Sequence, residues 1–289
     1  MRLIGIGDNV VDRYINKNRM FPGGNAVNFA VFAKQCGEDS AYLGVIADDR
    51  EGRLVRDSLE ELGVDVSMSP LCGNCATERC DVVLIDGDRR FAGVSYGEPG
   101  VHVPLRLTKE HLDYLRGFDV IHCGCYAYME DEMCKLDDQQ AFRTFDFSCE
   151  PEHRTDGYLD KICPYIDMAL FSAEEMNEEE RDVLADRVQK YGVRYVLITN
   201  GKKGQVLYDG SGKHRGKVKL LEPVDTMGAG DSFFASFVVS VMRNGYLSEG
   251  IISEENMDRS FEYAAEFSAN VCLVEGAFGF GIGIEESHA

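Results

Sequence analysis

A carboxylate follows a glycine-rich turn in the segment "DTMGAGDSFFASF", which begins at Asp225. Gly228, Ala229 and Gly230 lead directly into Asp231, and the residues after it are mostly apolar, as in a buried helix. A glycine turn at a helix N-terminus presents free N–H groups and the positive end of the helix dipole, which favour an anion. An ionised Asp231 beside that anion can accept a hydroxyl proton, so the pattern predicts half of a phosphoryl-transfer site. The alternative is that Asp231 only caps the helix.

A second group of polar residues and glycines lies near the start of the chain. Asp12 follows the first predicted strand, and "FPGGNAVN" places Gly23 and Gly24 immediately before a predicted helix. Paired glycines let a ligand approach the backbone, and Asn28, one turn into the helix, can both donate and accept hydrogen bonds. These groups together predict the recognition of a polyol. For each residue alone, the alternative is a turn with an N-cap asparagine.

Apolar strand patterns alternate with helical patterns over most of the chain. The segments "RLIGIG", "SAYLGVIA", "FDVIHCG", "AFRTFDFS", "MALFS" and "RYVLITNG" predict strands. The segments "NAVNFAVFAKQCG", "EGRLVRDSLEELG", "EEERDVLADRVQKYG" and "DSFFASFVVSVMRNG" predict helices that end at glycine. Repeated strand–helix units predict an α/β fold with a parallel sheet covered by helices on both faces. Ligand sites in such folds lie outside the carboxyl ends of the strands.

One region breaks this alternation. Residues 76–101 alternate with period two around an Asp86-Gly87 turn, which predicts an antiparallel hairpin, and "VDRYINKNRMFP" predicts a further strand beside it. A small sheet projecting from an α/β body can act as a lid over a ligand site; the alternative is a plain surface hairpin.

Composition narrows the class of protein. The formal charge of −20 and the pI near 4.7 argue against nucleic acid and anionic membranes as partners. No apolar run reaches the ~18 residues that span a bilayer, and "MRLIGIGDN" predicts a strand rather than a secretory signal, so we expect a cytoplasmic protein. The ten cysteines then predict reduced thiols. Cys72 and Cys75, in "CGNC", and Cys80 have the spacing of half a zinc site, with small apolar filler as the alternative.

The sequence matches neither the Walker A loop nor the full dinucleotide-binding fingerprint. The sequence contains no GxxxxGK[ST], which excludes a Walker A loop. The segment "GIGDNV" begins like a dinucleotide fingerprint, but Val10 stands in place of the third glycine and Asp8 brings negative charge where pyrophosphate would bind. The alternative function, a nicotinamide-dependent oxidoreductase, is supported by this segment alone.

"GGNAVNFAVFAKQCG" and "DTMGAGDSFFASF" together resemble the two signatures of the ribokinase-like (PfkB) carbohydrate kinases, over nearly the whole chain. The resemblance implies a three-layer α/β/α ribokinase-like fold, a mostly parallel central sheet, and one domain over residues 1–289. It implies a β-lid formed by about 11–22 and 76–101. Asp231 would be the catalytic base. The other implied residues are an anion hole of Gly228, Ala229 and Gly230 and sugar contacts at Asp12, Gly23, Gly24 and Asn28.

The nucleotide half of the pattern is less regular. "LITNGKKG" resembles the family's turn near the nucleotide and implies Thr199, Gly201 and Gly204 as cofactor contacts, with an ordinary strand-to-hairpin turn as the alternative. The family's Asn-x-x-Glu, associated with magnesium and phosphate, reads Ser172 to Glu175 here, which keeps only the acid. ATP and Mg²⁺ are the implied cofactors, because a divalent ion bridges the phosphates during transfer. Asp225 and "VEGAFGFG" resemble a monovalent-cation loop, which leaves a K⁺ site open.

The resemblance extends to members that act on Amadori sugars such as fructoselysine, through "GDNVVD", "FPGGNAVNFAV", "DRRFAG", "FDFS" and "DTMGAGDSF". Asp146, in "FDFS", is then a candidate partner for a substrate amine, with the ordering of the next turn as the alternative. The 6-hydroxyl of such a sugar is the expected acceptor; fructose, ribose and nucleosides are the other sugars considered. A noncatalytic sugar-binding protein and a homodimer formed through the β-lid also remain open.

Overall fold

A computed structural model describes residues 1–246 and 252–284. Most of the strands in this part of the chain are short runs of β-branched and apolar residues. They are β1 (Arg2–Ile6), β2 (Val10–Tyr14), β3 (Arg19–Gly23), β4 (Asp39–Leu43), β5 (Ile46–Ala47), β6 (Leu71–Cys72), β7 (Glu78–Ile85), β8 (Asp88–Tyr96), β9 (Val120–Gly124), β10 (Phe142–Asp146), β11 (Met168–Ser172), β12 (Tyr195–Thr199), β13 (Gln205–Tyr208), β14 (Lys213–Gly216) and β15 (Ile282–Gly283).

Helices follow or separate most of these strands. They are α1 (Asn25–Gln35), α2 (Arg50–Glu61), α3 (Lys109–Leu115), α4 (Asp156–Ile162), α5 (Glu178–Lys190), α6 (Ala229–Val241) and α7 (Glu254–Val271). The six predicted strand segments and the four predicted helices are all present, with "SAYLGVIA" divided between β4 and β5. No helix in the described ranges is long and apolar enough to cross a bilayer.

The main sheet has the strand order β14-β13-β12-β11-β10-β9-β1-β4. The six strands from β12 to β4 are parallel, and β13 and β14 are antiparallel additions at one edge. Successive side chains point to opposite faces of this sheet: Leu3 belongs to a core with α1, α6 and α7, and Ile4 to a core with α3, α4 and α5. The predicted three-layer α/β/α arrangement is therefore confirmed.

Helix α6 carries the late glycine turn, and it is mostly apolar and surrounded by other elements. Its residues from Ser232 to Val241 are buried, and it packs between α1 and α7. A helix surrounded by other elements has no solvent face to keep polar, which explains this composition. The packing of α6 on α1 brings the N-terminal ends of the two helices into the same region.

A second sheet, β15-β3-β2-β7-β8, stands beside the first. The predicted hairpin is β7 and β8, with both turn residues, Asp86 and Gly87, in the left-handed region at φ 50° and 76°. The predicted extra strand is a second hairpin, β2 and β3. The hairpin tip touches the loop before α6, because a Cβ on Gly87 would lie 2.3 Å from the carbonyl oxygen of Pro223. The C-terminal strand β15, which pairs with β3, was not predicted.

The cysteines form no metal centre. In the described residues, no group of three or more His, Cys, Asp or Glu side chains is arranged to hold a metal ion. Cys72, Cys75 and Cys80 are free thiols, with Cys75 buried and the other two half-buried. The structure therefore favours the interpretation of small apolar filler over a zinc site.

Candidate active site

The two sequence motifs meet at the N-termini of α1 and α6. Asp231 lies in the first turn of α6, and its carboxylate accepts hydrogen bonds from two side chains of α1. Nδ2 of Asn28 lies 2.6 Å from Oδ2, and Nδ2 of Asn25 lies 3.0 Å from Oδ1. Asn25 and Asn28 are three residues apart and so share one face of the helix. Asp231 is thus oriented by side chains from another element, which a simple helix cap does not require.

The turn before Asp231 has some, but not all, of the free amides that the sequence predicts for an anion site. Gly228 is the N-cap at φ 72°, and a Cβ there would lie 2.7 Å from Cβ of Ala277, so only glycine fits. The amide of Ala229 donates to Thr226, which removes it from the predicted set of anion donors. The amides of Gly230 and Asp231 precede the first hydrogen bond of the helix, from Ser232 to Gly228. A Cβ on Gly230 would meet no atom within 4 Å, so the space beside this turn is open.

The predicted polyol contacts lie next to this turn. Asp12, on β2, is 4% exposed, and a Cβ on Gly23 would approach its Oδ2 to 2.6 Å, so glycine is required beside it. Gly24 has φ 115° and packs against Asn9. Oδ1 of Asn28 is buried without a hydrogen-bond partner, which leaves an acceptor for a ligand hydroxyl.

Asp146 lies at the carboxyl end of β10, inside the same site. Its Oδ2 accepts from Nδ2 of Asn25 at 2.8 Å, so one amide nitrogen binds both Asp146 and Asp231. Its Oδ1 accepts from the amide of Ser148 at 2.7 Å, which is the turn-ordering role considered from the sequence. The two interpretations of Asp146 are therefore compatible.

Burial of these carboxyl groups changes their acidity. Desolvation raises the pKa of Asp146 to about 7, with the charge of Asp231 adding to the effect. Desolvation also raises the pKa of Asp12 to about 7, against the charge of Arg89. The pKa of Asp231 is raised by burial, while the hydrogen bonds from Asn28 and Asn25 and the charge of Arg89 act to lower it. A group of carboxyls with raised pKa values in one cleft is typical of a functional site.

Asp8 caps helix α1, and its position argues against a dinucleotide-binding site. Its carboxylate accepts from the amides of Asn25 at 2.6 Å and Ala26 at 3.2 Å, and so it covers the N-terminus of α1. A dinucleotide pyrophosphate would need that same helix end. The oxidoreductase interpretation of "GIGDNV" therefore does not fit the structure.

Three further residues belong to the site but were not predicted as site residues. The sequence predicts Asn25 only as the start of a helix, and it predicts no role for Arg89 or His122. Arg89 extends from β8, where its amide lies 3.4 Å from Oγ1 of Thr226 and its Nε is buried without a partner. Its guanidinium lies 5.4 Å from the ring centre of Phe91. Arg89 brings positive charge to an acidic site, and "DRRFAG" was the one sequence signal that contained it.

The candidate nucleotide residues lie at the carboxyl end of β12, next to the end of β11. Oγ1 of Thr199 lies 3.2 Å from Oγ of Ser172. Gly201 and Gly204 have φ 50° and 100°, and a Cβ on either would collide, with Glu174 at 2.3 Å and with Gly216 at 2.5 Å. These glycines have a structural reason in the turn between β12 and β13, and their nucleotide role stays a prediction.

The two predicted metal residues are both engaged with protein groups. Glu175 forms an ion pair with Arg154 at 2.6 Å. Partial burial acts to raise the pKa of Glu175, and the hydrogen bond from Arg154 outweighs it, so the pKa lies below its ordinary value. Asp225 is fully buried and accepts three hydrogen bonds, from the hydroxyl of Tyr14 at 2.7 Å and from the amides of Met227 at 3.0 Å and Gly276 at 2.8 Å. Neither carboxylate fits a dedicated Mg²⁺ site in this arrangement.

Known proteins resemble this chain along its whole length. Residues 1–279 match the model of the pfkB family carbohydrate kinases. The chain is 33% identical over 287 residues to fructosamine kinase FrlD of Bacillus subtilis (strain 168), which covers 97% of this chain and 94% of the relative. It is 33% identical over 237 residues to fructoselysine 6-kinase of Escherichia coli (strain K12), with 82% and 87% covered.

Solved structures agree with the fold. Fructokinase with bound ATP from Xylella fastidiosa superposes with a TM-score of 0.77 at 19% identity, over 96% of this chain and 94% of that one. Arabidopsis thaliana ribokinase complexed with ribose and ATP superposes with a TM-score of 0.74 at 18% identity, with the same coverage. At such identities the likeness establishes the ribokinase-like fold alone. The family match and the two curated relatives go further, and with them the chain belongs to the pfkB family of carbohydrate kinases.

Proposed function

We propose that the protein transfers the γ-phosphoryl group of ATP to a sugar hydroxyl, with Asp231 as the general base. The observation that carries this proposal is the position of the Asp231 carboxylate, held by Asn25 and Asn28 at the open N-terminus of α6. A base must be both ionised and aimed at the reacting hydroxyl, and these two hydrogen bonds favour both conditions.

The surrounding residues then have separate tasks. Asp12 and the unpartnered Oδ1 of Asn28 accept hydrogen bonds from sugar hydroxyls. The acceptor hydroxyl passes its proton to Asp231 as its oxygen attacks phosphorus, and the bond from phosphorus to the departing ADP oxygen breaks. The amides of Gly230 and Asp231, with the dipole of α6, stabilise the charge on the transferred group. Arg89 adds positive charge to this acidic site.

We propose that ATP binds at the carboxyl ends of β10, β11 and β12, with Thr199, Gly201 and Gly204 as contacts at the end of β12. Mg²⁺ bound to the nucleotide neutralises phosphate charge and needs only phosphate oxygens, water and few protein ligands. Glu175 is a ligand only if it leaves Arg154. A K⁺ site beside Asp225 is proposed on the contact of its carboxylate with Gly276 in "VEGAFGFG". A K⁺ site of this kind would rest mostly on backbone carbonyls.

The substrate we propose is an Amadori sugar, a fructosyl group on an amine such as fructoselysine, phosphorylated at its 6-hydroxyl. Two observations support it: the names of the two relatives at 33% identity, and the carboxylate of Asp146 inside the site. Asp146 can pair with an amine that fructose and ribose lack. A noncatalytic sugar-binding protein is disfavoured, because Asp231 is held in position and the amides of Gly230 and Asp231 remain free for an anion.

The second sheet is proposed as the lid of a single ribokinase-like domain over residues 1–289. Its edge strand β8 exposes Phe91 and Val94 at 60% each, which offers a surface for a homodimer through the lid. The proposed partners are a small sugar and ATP, and the net charge of −20 argues against nucleic acid and anionic membranes. The proposed location is the cytoplasm.

A screen of ADP release tests the proposal. The purified chain with Mg-ATP is offered fructoselysine, fructose, ribose and a nucleoside in turn. ADP formation that depends on a sugar supports the kinase, and the fastest sugar identifies the substrate. Sugar binding without ADP release would favour the noncatalytic alternative.

A further inference from the structure

A buried histidine lies directly behind the site. His122, on β9, is 1% exposed and stacks on Phe29 with 4.3 Å between the ring centres. Its Nε2 lies 2.8 Å from Oδ1 of Asn25, and its Nδ1 lies 2.8 Å from Oγ1 of Thr144 on β10. The proposed mechanism assigns no role to His122 or Thr144, although both connect to the amide that binds Asp231.

The two carboxylates at one end of this hydrogen-bond series determine which atom donates in each of its bonds. Two carboxylates, Asp146 and Asp231, accept from the amide of Asn25 at 2.8 and 3.0 Å, so the nitrogen of the amide must face them. Oδ1 of Asn25 then faces His122 and needs a donor, which places the imidazole proton on Nε2. Nδ1 is left as an acceptor, and the hydroxyl of Thr144 donates to it.

The imidazole is neutral in this position, because burial lowers the pKa of His122 to about 3. A neutral imidazole has one N–H, and Asn25 receives it. The amide of Asn25 has two, and each carboxylate receives one. Every N–H of Asn25 and His122 in this series therefore has an acceptor. Reversing the donor and acceptor of any one group would place two acceptors or two donors opposite each other.

Several charged groups face the two carboxylates. Asp8 lies on the loop after β1, Asp12 on β2 and Arg89 on β8, and their charges act on the acids of the site. Crowded, buried carboxyls tend to be protonated, whereas a general base must be deprotonated before it can accept a proton. The two N–H bonds from Asn25 oppose that tendency only while its nitrogen points at the acids.

We propose that Thr144 and His122 form a neutral hydrogen-bond relay that fixes the amide of Asn25 with its nitrogen toward Asp146 and Asp231. His122 and Thr144 are positioning residues, since they contact neither substrate nor reacting atoms. The inference rests on the proposed role of Asp231 as the base, and it assigns the orientation of that base to residues on β9 and β10.

Matched variants test the relay. His122→Gln keeps an N–H near the position of Nε2, and His122→Leu removes it; Thr144→Ser keeps the hydroxyl, and the isosteric Thr144→Val removes it. We expect His122→Leu to lower kcat by ~10-fold and to move the acid limb of kcat/KM upward by about one pH unit, because a hydrogen bond that favours the ionised base is lost. KM for ATP should stay within about twofold, Gln should restore most of kcat, and Thr144→Val should shift the limb in the same direction.

Three results would overturn the relay: an unmoved acid limb in His122→Leu, an equal loss in His122→Gln, or a Thr144→Val profile that matches wild type. If His122→Leu does not fold, ¹⁵N NMR of the histidines in the intact wild-type chain decides. The relay requires the Nε2–H tautomer of His122 from pH 5.5 to 8, and an Nδ1–H tautomer or an imidazolium contradicts it. Asp231→Asn separates the two proposals. If this variant is active, Asp231 is not the base and the proposed function fails. If it is inactive and His122→Leu has the wild-type pH profile, only the relay fails.

Discussion

Nδ2 of Asn28 donates to Oδ2 of Asp231 at 2.6 Å, across 203 positions of sequence. The bond joins the first turn of α6 to α1, and it commits the nitrogen of the Asn28 amide to the proposed base. The oxygen of the same amide is buried without a protein partner. A single side chain can therefore orient Asp231 and receive the sugar hydroxyl whose proton Asp231 takes.

Asp12 should act on sugar binding more than on nucleotide binding. Asp12→Asn removes a charged acceptor of hydroxyl hydrogen bonds, each worth about 1.5–3 kcal/mol, so KM for the sugar should rise by ~10-fold or more. KM for ATP should change by less than threefold. Steady-state kinetics with each substrate varied in turn measure both values. An equal rise in both would mean that Asp12 matters for folding rather than for recognition.

Asp146 should set the preference for an aminated sugar. If remote contacts of the amino-acid arm help to orient the 6-hydroxyl, kcat/KM for fructoselysine should exceed that for fructose by ~10²-fold, about 3 kcal/mol. Asp146→Asn should reduce this ratio by ~10-fold, because the value for fructoselysine falls more than the value for fructose. Competition between the two sugars in one reaction measures the ratio directly. A faster reaction with fructose, ribose or a nucleoside would remove the Amadori assignment and leave the kinase assignment intact.

Arg89 should support the chemical step. Arg89→Gln removes the positive charge near Asp12 and Asp231, and we expect kcat to fall by ~10²-fold. Arg90, the exposed neighbour on the same strand, is the matched control, and Arg90→Gln should keep kcat within twofold. Similar losses in the two variants would point to general damage to the hairpin.

Acid should affect stability and activity in opposite directions. The pKa values of Asp8, Asp12 and Asp146 lie at about 6, 7 and 7, above the ordinary 3.8, so the folded chain binds more protons than the unfolded chain between about pH 4 and 7. The contribution of these groups to stability therefore falls as pH rises through that window, whereas Asp231 needs the higher pH to act as a base.

A thermal unfolding series checks this prediction. Asp146→Asn should raise Tm by a few degrees at pH 8, because it removes a buried charge, and should change Tm little at pH 5. Asp57→Asn, at an exposed position of α2, is the control and should change Tm little at either pH. A loss of Tm in Asp146→Asn that is the same at both pH values would contradict the raised pKa.

The sequence was informative where periodic patterns and short motifs dominate. Six strand segments and helices α1, α2, α5 and α6 of the α/β body follow from apolar periodicity, and Asp231 with Gly228 follows from a turn that only glycine can form. The sequence did not predict helices α3, α4 and α7 or strands β6, β13, β14 and β15. Helices α3 and α4 are only seven residues long, and a strand as short as β15 depends on its partner β3.

The rest of the site depends on tertiary contacts. His122 reads as one polar residue in an apolar strand, and nothing local indicates that Asn25 accepts from it. Arg89 acts on the charges of Asp12 and Asp231 only because the fold brings β8 near them. Glu175 is a different case, because the motif predicts a metal ligand and a distant residue, Arg154, forms an ion pair with it. Local sequence cannot show which partner a charged side chain meets in the fold.

The most direct test of the proposed function is sugar-dependent ADP formation by wild type and Asp231→Asn. The amide preserves the shape of the carboxylate but cannot take up the hydroxyl proton, so kcat should fall by ~10²–10⁴-fold while ATP and sugar bind within a few-fold of wild type. Calorimetric titration of both ligands confirms that the site is intact. A variant that keeps more than about a tenth of wild-type turnover would contradict the account and leave Asp231 as the cap of α6.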